Sequence, residues 1–220
     1  VHPGAVRAEL TLTIGVAKRG LLEPAAANHV GRIELIPLAE LPPPPGGELR
    51  LITPHTLEIR PDPRPFDTHK GRAGRVGVIA GGPGASGAAI LCGHAALRAG
   101  AGLVNVIVPV PVLQTVAAAA PAELMVRPFT SVDDILAAGY DALAVGPGLG
   151  PVPRPELIDL VARAKQALVL DADGLNQLAA AGRLDLCRPA MLLPPHPGEF
   201  ARLAPDLAGQ PPIEAARAFV

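Results

Sequence analysis

Tryptophan is absent from these 220 residues, and the aromatic side chains are one tyrosine and four phenylalanines. A core must therefore be packed from Ala, Leu, Val and Ile, which carry most of the 49% apolar content. Aromatic stacking platforms for single-stranded nucleic acid are excluded on the same ground. Charge excess is missing too: 19 basic against 20 acidic residues leave a net charge of −1, and no basic stripe supplies the footprint of a nucleic-acid binder. Cysteine is scarce. Cys92 and Cys187 lie far apart and form neither a metal-binding pair nor a disulfide framework, which points to a reducing, cytoplasmic setting. The longest apolar tract, Leu103 to Val126, is broken by Pro109, Pro111 and Pro121 and carries Asn105, Gln114 and Glu123, so it does not read as a membrane span. Residues 1–20 lack the basic start and apolar run of a secretion signal. Small solutes, rather than nucleic acids or membranes, are the expected partners.

Proline and glycine are plentiful by contrast, with 27 and 24 residues, and their clusters divide the chain. Two strand-like stretches, Leu10 to Val16 and Gly31 to Leu38, come first, joined by a turn at Lys18-Arg19-Gly20. Leu41-Pro42-Pro43-Pro44-Pro45-Gly46-Gly47 follows, a polyproline II segment released by glycines, as in an inter-domain connector. Pro61, Pro63 and Pro65 form a second cluster after the ladder-like Leu49 to Ile59. The expected division is a first domain remnant over 1–45, a linker over 46–66 and the main domain over 67–220. The chain starts at Val1 and stops at Val220 inside a helical pattern, so both ends are expected to be internal to a longer protein.

From Asp67 onward short apolar runs alternate with helical stretches. Strands are expected at Val76 to Ala80, Leu103 to Val108, Asp141 to Val145, Ala167 to Leu170 and Ala190 to Leu193. Helices are expected at Ala88 to Ala99, Val112 to Ala120, Glu156 to Ala164, Leu175 to Ala181 and from Gly198 to Leu203. The strands are continuously apolar rather than alternating. That pattern predicts an α/β fold with a mostly parallel sheet covered by helices on both faces.

Ligands of such sheets bind outside the carboxyl ends of the strands. Four loops there are rich in glycine or in titratable groups: Gly81 to Ala89, Gly146-Pro147-Gly148-Leu149-Gly150, Asp171-Ala172-Asp173-Gly174 and Pro194-Pro195-His196-Pro197-Gly198-Glu199. Gly82, Gly84 and Gly87 have the G-x-G-x-x-G spacing of a dinucleotide fold. The acid that such a fold needs some 20 residues on is lacking, since no Asp or Glu occurs between Asp67 and Glu123. Ser86 sits where a nucleophile elbow would place its serine, but Ala88 stands where G-x-S-x-G requires glycine. Ser86 is read instead as a helix N-cap. Asp171, at a strand end, suits a hydrated magnesium ion held through one carboxylate, whereas Asp173 suits either that role or a cap on a helix starting at Gly174. His196, held between prolines, is expected to present its ring to a ligand. Residues 88, 150, 171 and 196 are expected around one pocket.

Taken together the loops resemble a known family. Thr68-His69-Lys70-Gly71, Gly74-Arg75-Val76, Gly81-Gly82, Ser86-Gly87-Ala88-Ala89, Ala95 to Val104, Gly146 to Gly150, Asp171-Ala172-Asp173 and His196-Pro197-Gly198-Glu199 resemble the NAD(P)H-hydrate dehydratases of the ribokinase-like superfamily in order and spacing. Ile14-Gly15-Val16, Lys18, Gly20-Leu21-Leu22 and Gly31 look like the closing strands of the epimerase domain that precedes the dehydratase in bifunctional repair enzymes.

The resemblance implies a hydro-lyase that returns hydrated NADH or NADPH to the normal cofactor, using ADP or ATP with Mg2+. It implies that Ala88, Gly150 and His196 contact the hydrated cofactor, that Asp171 or Asp173 lies toward the phosphates, and that the protein self-associates. The family's catalytic G-x-G-D segment is expected beyond position 220, and neither G-x-G-D nor G-K-[ST] occurs in this sequence. These 220 residues alone are therefore expected to turn over no substrate. A ribokinase-like sugar or vitamin kinase, and a non-catalytic nucleotide-binding module, are the alternatives.

Overall fold

The computed structural model describes residues 2, 4–38, 52 and 65–220, and the chain divides into two compact units, 1–63 and 64–220. The expected 46–66 linker, with its ladder-like Leu49 to Ile59, lies outside the described residues except at 52, 65 and 66.

In the first unit β1 (Leu10–Ile14) and β2 (Arg32–Ile36) pair in parallel, Leu10 opposite Arg32 and Ile14 opposite Ile36. A parallel pair cannot be closed by a tight turn. The expected Lys18-Arg19-Gly20 turn is accordingly only the start of a longer connection, with 3-10 turns at Arg19–Leu21 and Pro24–Ala26 and the short helix α1 (Ala27–Val30).

The second unit runs β3 (Arg75–Ile79), α2 (Ser86–Arg98), β4 (Leu103–Val108), α3 (Leu113–Ala119), β5 (Met125–Pro128), α4 (Val132–Ala137), β6 (Ala142–Val145), α5 (Pro155–Arg163), β7 (Ala167–Leu170), α6 (Asp173–Ala180), β8 (Met191–Leu192), α7 (Pro197–Leu203) and α8 (Pro212–Phe219). Its six strands form an all-parallel sheet in the order β5-β4-β3-β6-β7-β8. Sequence reasoning missed β5 and α4. Met125-Val126-Arg127-Pro128 is short and polar in part, and its proline is tolerated because β5 is an edge strand, where an absent N–H costs no ladder bond.

Both sheet faces are buried, as the continuous apolar strands require. Val78, Val104, Val106 and Val108 pack with Ala89 of α2 and Val112 and Val116. Ile79, Ile107, Leu143 and Leu168 pack on the other face with Leu157 and Leu160 of α5 and Leu175 and Leu178 of α6. Each such side chain contributes about 1.5–3 kcal/mol on leaving water. Those two layers hold the strands level and so set where the loops after them emerge. Among the described residues no helix is long and apolar enough to cross a membrane.

Candidate functional site

The chain enters the sheet at β3 and winds to β4 and β5 on one side, then returns to β6, β7 and β8 on the other. Between β3 and β6 the winding reverses, and the loops after those two strands flank the crevice that such a reversal opens. They are in direct contact. Gly81 donates its N–H to the Pro147 carbonyl at 2.8 Å, and a Cβ at Gly82 would stand 2.7 Å from the Gly148 carbonyl oxygen. A Cβ at Gly148 would lie 2.8 Å from that of Ala88, which places Ala88, in the first turn of α2, against the second glycine loop.

The loop after β7 joins them. Gly146, at φ +127°, is so close to it that a Cβ would come within 1.9 Å of the Asp171 carbonyl oxygen. Asp171 accepts the Ala172 N–H through Oδ1 at 2.7 Å and the Gly174 N–H through its carbonyl at 2.9 Å. Ala172, between the two aspartates, has φ 50° and ψ −118°, a conformation that costs a non-glycine residue about 1–3 kcal/mol. Asp171 reaches electrostatically as far as α2: the half-buried Cys92 thiol is pushed above its ordinary value first by burial and then by the Asp171 charge.

Asp173 departs from the expected cap. The helix starts at Asp173 itself, and its carboxylate makes no cap on α6. It turns instead to the loop after β6 and accepts the Gly150 N–H through Oδ2 at 2.8 Å. One turn later Gln177, buried at 8% exposure, accepts the Arg154 N–H at 2.9 Å and donates to the carbonyls of Gly150 (3.5 Å) and Val152 (3.3 Å). Sequence reasoning passed over Gln177; its signal was the i, i+4 spacing from Asp173 on one helix face. Ser86 is also corrected: it is the first residue of α2, behind an Ala85 N-cap, and makes no cap.

His196 lies at the same end of the sheet, because β8 runs parallel beside β7. It has a structural role as well. Nδ1 accepts the N–H groups of Gly198 (3.0 Å) and Glu199 (3.4 Å), and the Glu199 carboxylate accepts the His196 N–H at 2.9 Å, a reciprocal cap on α7. An accepting Nδ1 places the proton of the neutral ring on Nε2, which faces Glu199 Oε1 at 3.2 Å. The side chain is 62% exposed. All its hydrogen bonds stay within its own turn, so the structure does not draw it to residues 88, 150 and 171 as it draws those loops together.

Two spaces open near these loops. A crevice of about 770 Å³ beyond the ends of β3 to β6 is lined by Ile79, Pro109, Phe129, Leu149 and Arg154 among others. A groove of about 700 Å³ along α6 takes in Gly150, Asp173, Asn176, Gln177 and Arg202. Ala88, Asp171 and His196 line neither. Beside Gly150 the space is open, since a Cβ there meets nothing within 4 Å.

Among the described residues no three or more His, Cys, Asp or Glu side chains gather in a metal-binding cluster. Asp171 and Asp173 each engage one carboxylate oxygen with a backbone N–H, that of Ala172 and that of Gly150, and each keeps its other oxygen outside these bonds. That suits Mg2+, which keeps most of its waters and takes one or two carboxylates with the phosphates of a substrate.

Residues 76–220 match the family described as NAD(P)H-hydrate dehydratase. The bifunctional NAD(P)H-hydrate repair enzyme Nnr of Gloeobacter violaceus is 35% identical over 223 residues, covering 93% of this chain and 43% of the relative. The chain thus spans less than half the length of the curated relatives it matches. Among solved structures, a ribokinase-like superfamily protein from Enterococcus faecalis is 26% identical with a TM-score of 0.63, over 71% of this chain and 57% of that one. The ADP/ATP-dependent NAD(P)H-hydrate dehydratase from Bacillus subtilis, co-crystallised with ATP and Mg2+, is 29% identical with a TM-score of 0.50, over 65% of this chain and 51% of that one. The fold is ribokinase-like.

Proposed function

The chain belongs to the NAD(P)H-hydrate dehydratase family, and on that footing we propose that its second unit carries the cofactor-binding part of a site that dehydrates the S hydrates of NADH and NADPH at the expense of ADP or ATP. The observation that carries this reading is the contact of three strand-end loops at the reversal point of the sheet, Gly81 on Pro147 and Gly146 on Asp171. Small residues there let a planar ring approach backbone, as a nicotinamide requires.

In this reading Ala88 and Gly150 contact the hydrated ring, Gly150 through the open space beside its Cα. His196 contacts the same ligand from the neighbouring strand end, with its ring orientation set by the α7 cap. Asp171 lies on the phosphate side and would hold a hydrated Mg2+, which supplies positive charge against the nucleotide phosphates. Phosphorylation of the C6 hydroxyl forms an O–P bond as the nucleotide leaves. The C6–O bond then breaks with phosphate taking the electron pair, assisted by the ring nitrogen lone pair, and loss of the C5 proton restores the dihydropyridine. Hydroxide, a far poorer leaving group, is thereby avoided. No general base is assigned among these residues.

A cytoplasmic setting and self-association belong to the same proposal. So does the expectation that these 220 residues bind the hydrate without converting it, since they contain no G-x-G-D. Calorimetry with the S hydrate of NADPH, paired with an assay for NADPH formation in ADP and Mg2+, tests both halves. Binding without turnover is expected. Absence of binding overturns the site, and turnover overturns the incomplete-machinery half. Protection of His196 from chemical modification by the hydrate but not by a sugar alcohol separates the dehydratase from the kinase alternative.

A further inference from the structure

We infer that Asp173 and Gln177 are positioning residues that set the place of Gly150, and that Asp173 acts as a hydrogen-bond acceptor rather than as a charge facing metal or phosphate. The inference rests on the reading of Gly150 as a cofactor contact and departs from it in the role of Asp173.

The segment after the glycine loop reads Gly150-Pro151-Val152-Pro153-Arg154-Pro155. Every second residue is proline, so every second backbone donor is missing and each proline holds φ near −65°. Such a segment is stiff but cannot knit itself into a helix or a sheet ladder. Its remaining donors must be satisfied from outside, because an unpaired N–H away from water costs about 1–3 kcal/mol. One face of α6 does this. Asp173 takes the Gly150 N–H at 2.8 Å, and Gln177 takes the Arg154 N–H at 2.9 Å while donating to the Val152 carbonyl at 3.3 Å. The two side chains stand four residues apart on a helix whose opposite face is locked by fully buried Leu175 and Leu178. A stiff loop clamped at both ends to a packed helix has one place to sit. Gly150 is the clamped end that borders open space.

A positioning acceptor and a functional charge answer differently to one pair of variants. Asp173→Asn keeps an oxygen that can accept the Gly150 N–H but removes the charge, whereas Asp173→Ala removes both. Residue-resolved amide exchange, corrected for global stability by urea unfolding, reads the clamp without any ligand. In Asp173→Ala the Gly150 amide is expected to exchange about tenfold faster, and in Asp173→Asn within about threefold of the parent chain. Calorimetry with the S hydrate of NADPH is expected to follow the same order, an affinity loss of about tenfold for alanine and about twofold for asparagine. Gln177→Met should release the Arg154 amide in the same way. If Asp173→Ala does not fold, Asp173→Ser, too short to reach Gly150, replaces it.

Unchanged Gly150 exchange in the alanine or serine variant overturns the inference. So does an asparagine variant that keeps the amide protected yet binds as poorly as alanine, which would assign Asp173 to the ligand's charge. Failure of the parent chain to bind the hydrate removes the cofactor reading instead, and the exchange measurement still decides whether the clamp exists.

Discussion

Gly146 and Asp171 stand backbone against backbone, so close that a Cβ on the glycine would lie 1.9 Å from the aspartate carbonyl oxygen. Their strands are neighbours in the sheet, and Asp171 donates its own N–H to the Val145 carbonyl at 3.0 Å. The loop after β6 cannot move from the loop after β7 without breaking that ladder. Gly146→Ala meets a rigid neighbour and an unfavourable φ together, so a loss of at least about 3 kcal/mol is expected. Urea unfolding checks this, and a loss below about 1 kcal/mol would mean that the loops are not packed in this way.

Asp171 and Cys92 couple α2 to the loop after β7. The Asp171 charge helps to hold the Cys92 thiol protonated. Removing the charge in Asp171→Asn leaves burial alone to raise the thiol, so its pKa falls and its thiolate fraction at pH 8 grows. Iodoacetamide labelling of Cys92, resolved from Cys187 by peptide mass, should speed up in the variant while Cys187 keeps its rate. Equal rates would place Asp171 away from α2.

Ala172 holds a backbone conformation that glycine adopts freely. Relief of about 1–3 kcal/mol of strain exceeds the entropy cost of about 0.5–1 kcal/mol that glycine brings. Ala172→Gly is therefore expected to raise stability by about 1 kcal/mol in urea unfolding, and a clear loss would contradict the assigned geometry.

His196 has two roles that one pair of variants separates. Asn caps helices well, so His196→Asn should keep stability, while His196→Ala should lose about 1 kcal/mol with the α7 cap. If the ring also contacts the hydrated cofactor, both variants lose affinity for it. Retained affinity in His196→Asn would leave the histidine a cap and nothing more.

Much of the architecture was legible because buried parallel strands are continuously apolar. Val76, Leu103, Leu143 and Ala167 each mark a strand, and glycine, proline or an acidic residue ends each run. β5 was illegible because an edge strand can carry Arg127 and Pro128. The meeting of the strand-end loops was legible from the residue types placed there, which bring Ala88 against Gly148 and Gly146 against Asp171. What lay beyond was the direction of side chains. Asp173 looked like a cap until its helix started one residue earlier and turned it toward Gly150. His196-Pro197-Gly198-Glu199 has the i, i+3 form of a capping box, hidden because histidine is not a usual cap residue. Gln177 showed nothing on its own; it gains meaning from the proline-rich segment facing it.

The most direct measurement is a titration of the isotope-labelled 220-residue chain with the S hydrate of NADPH, followed through backbone amide shifts. The expected result is a set of shifts confined to residues 81–88, 146–150, 171–174 and 196–199. Shifts gathered elsewhere, or none at saturating hydrate, would contradict a cofactor site at the carboxyl ends of these strands.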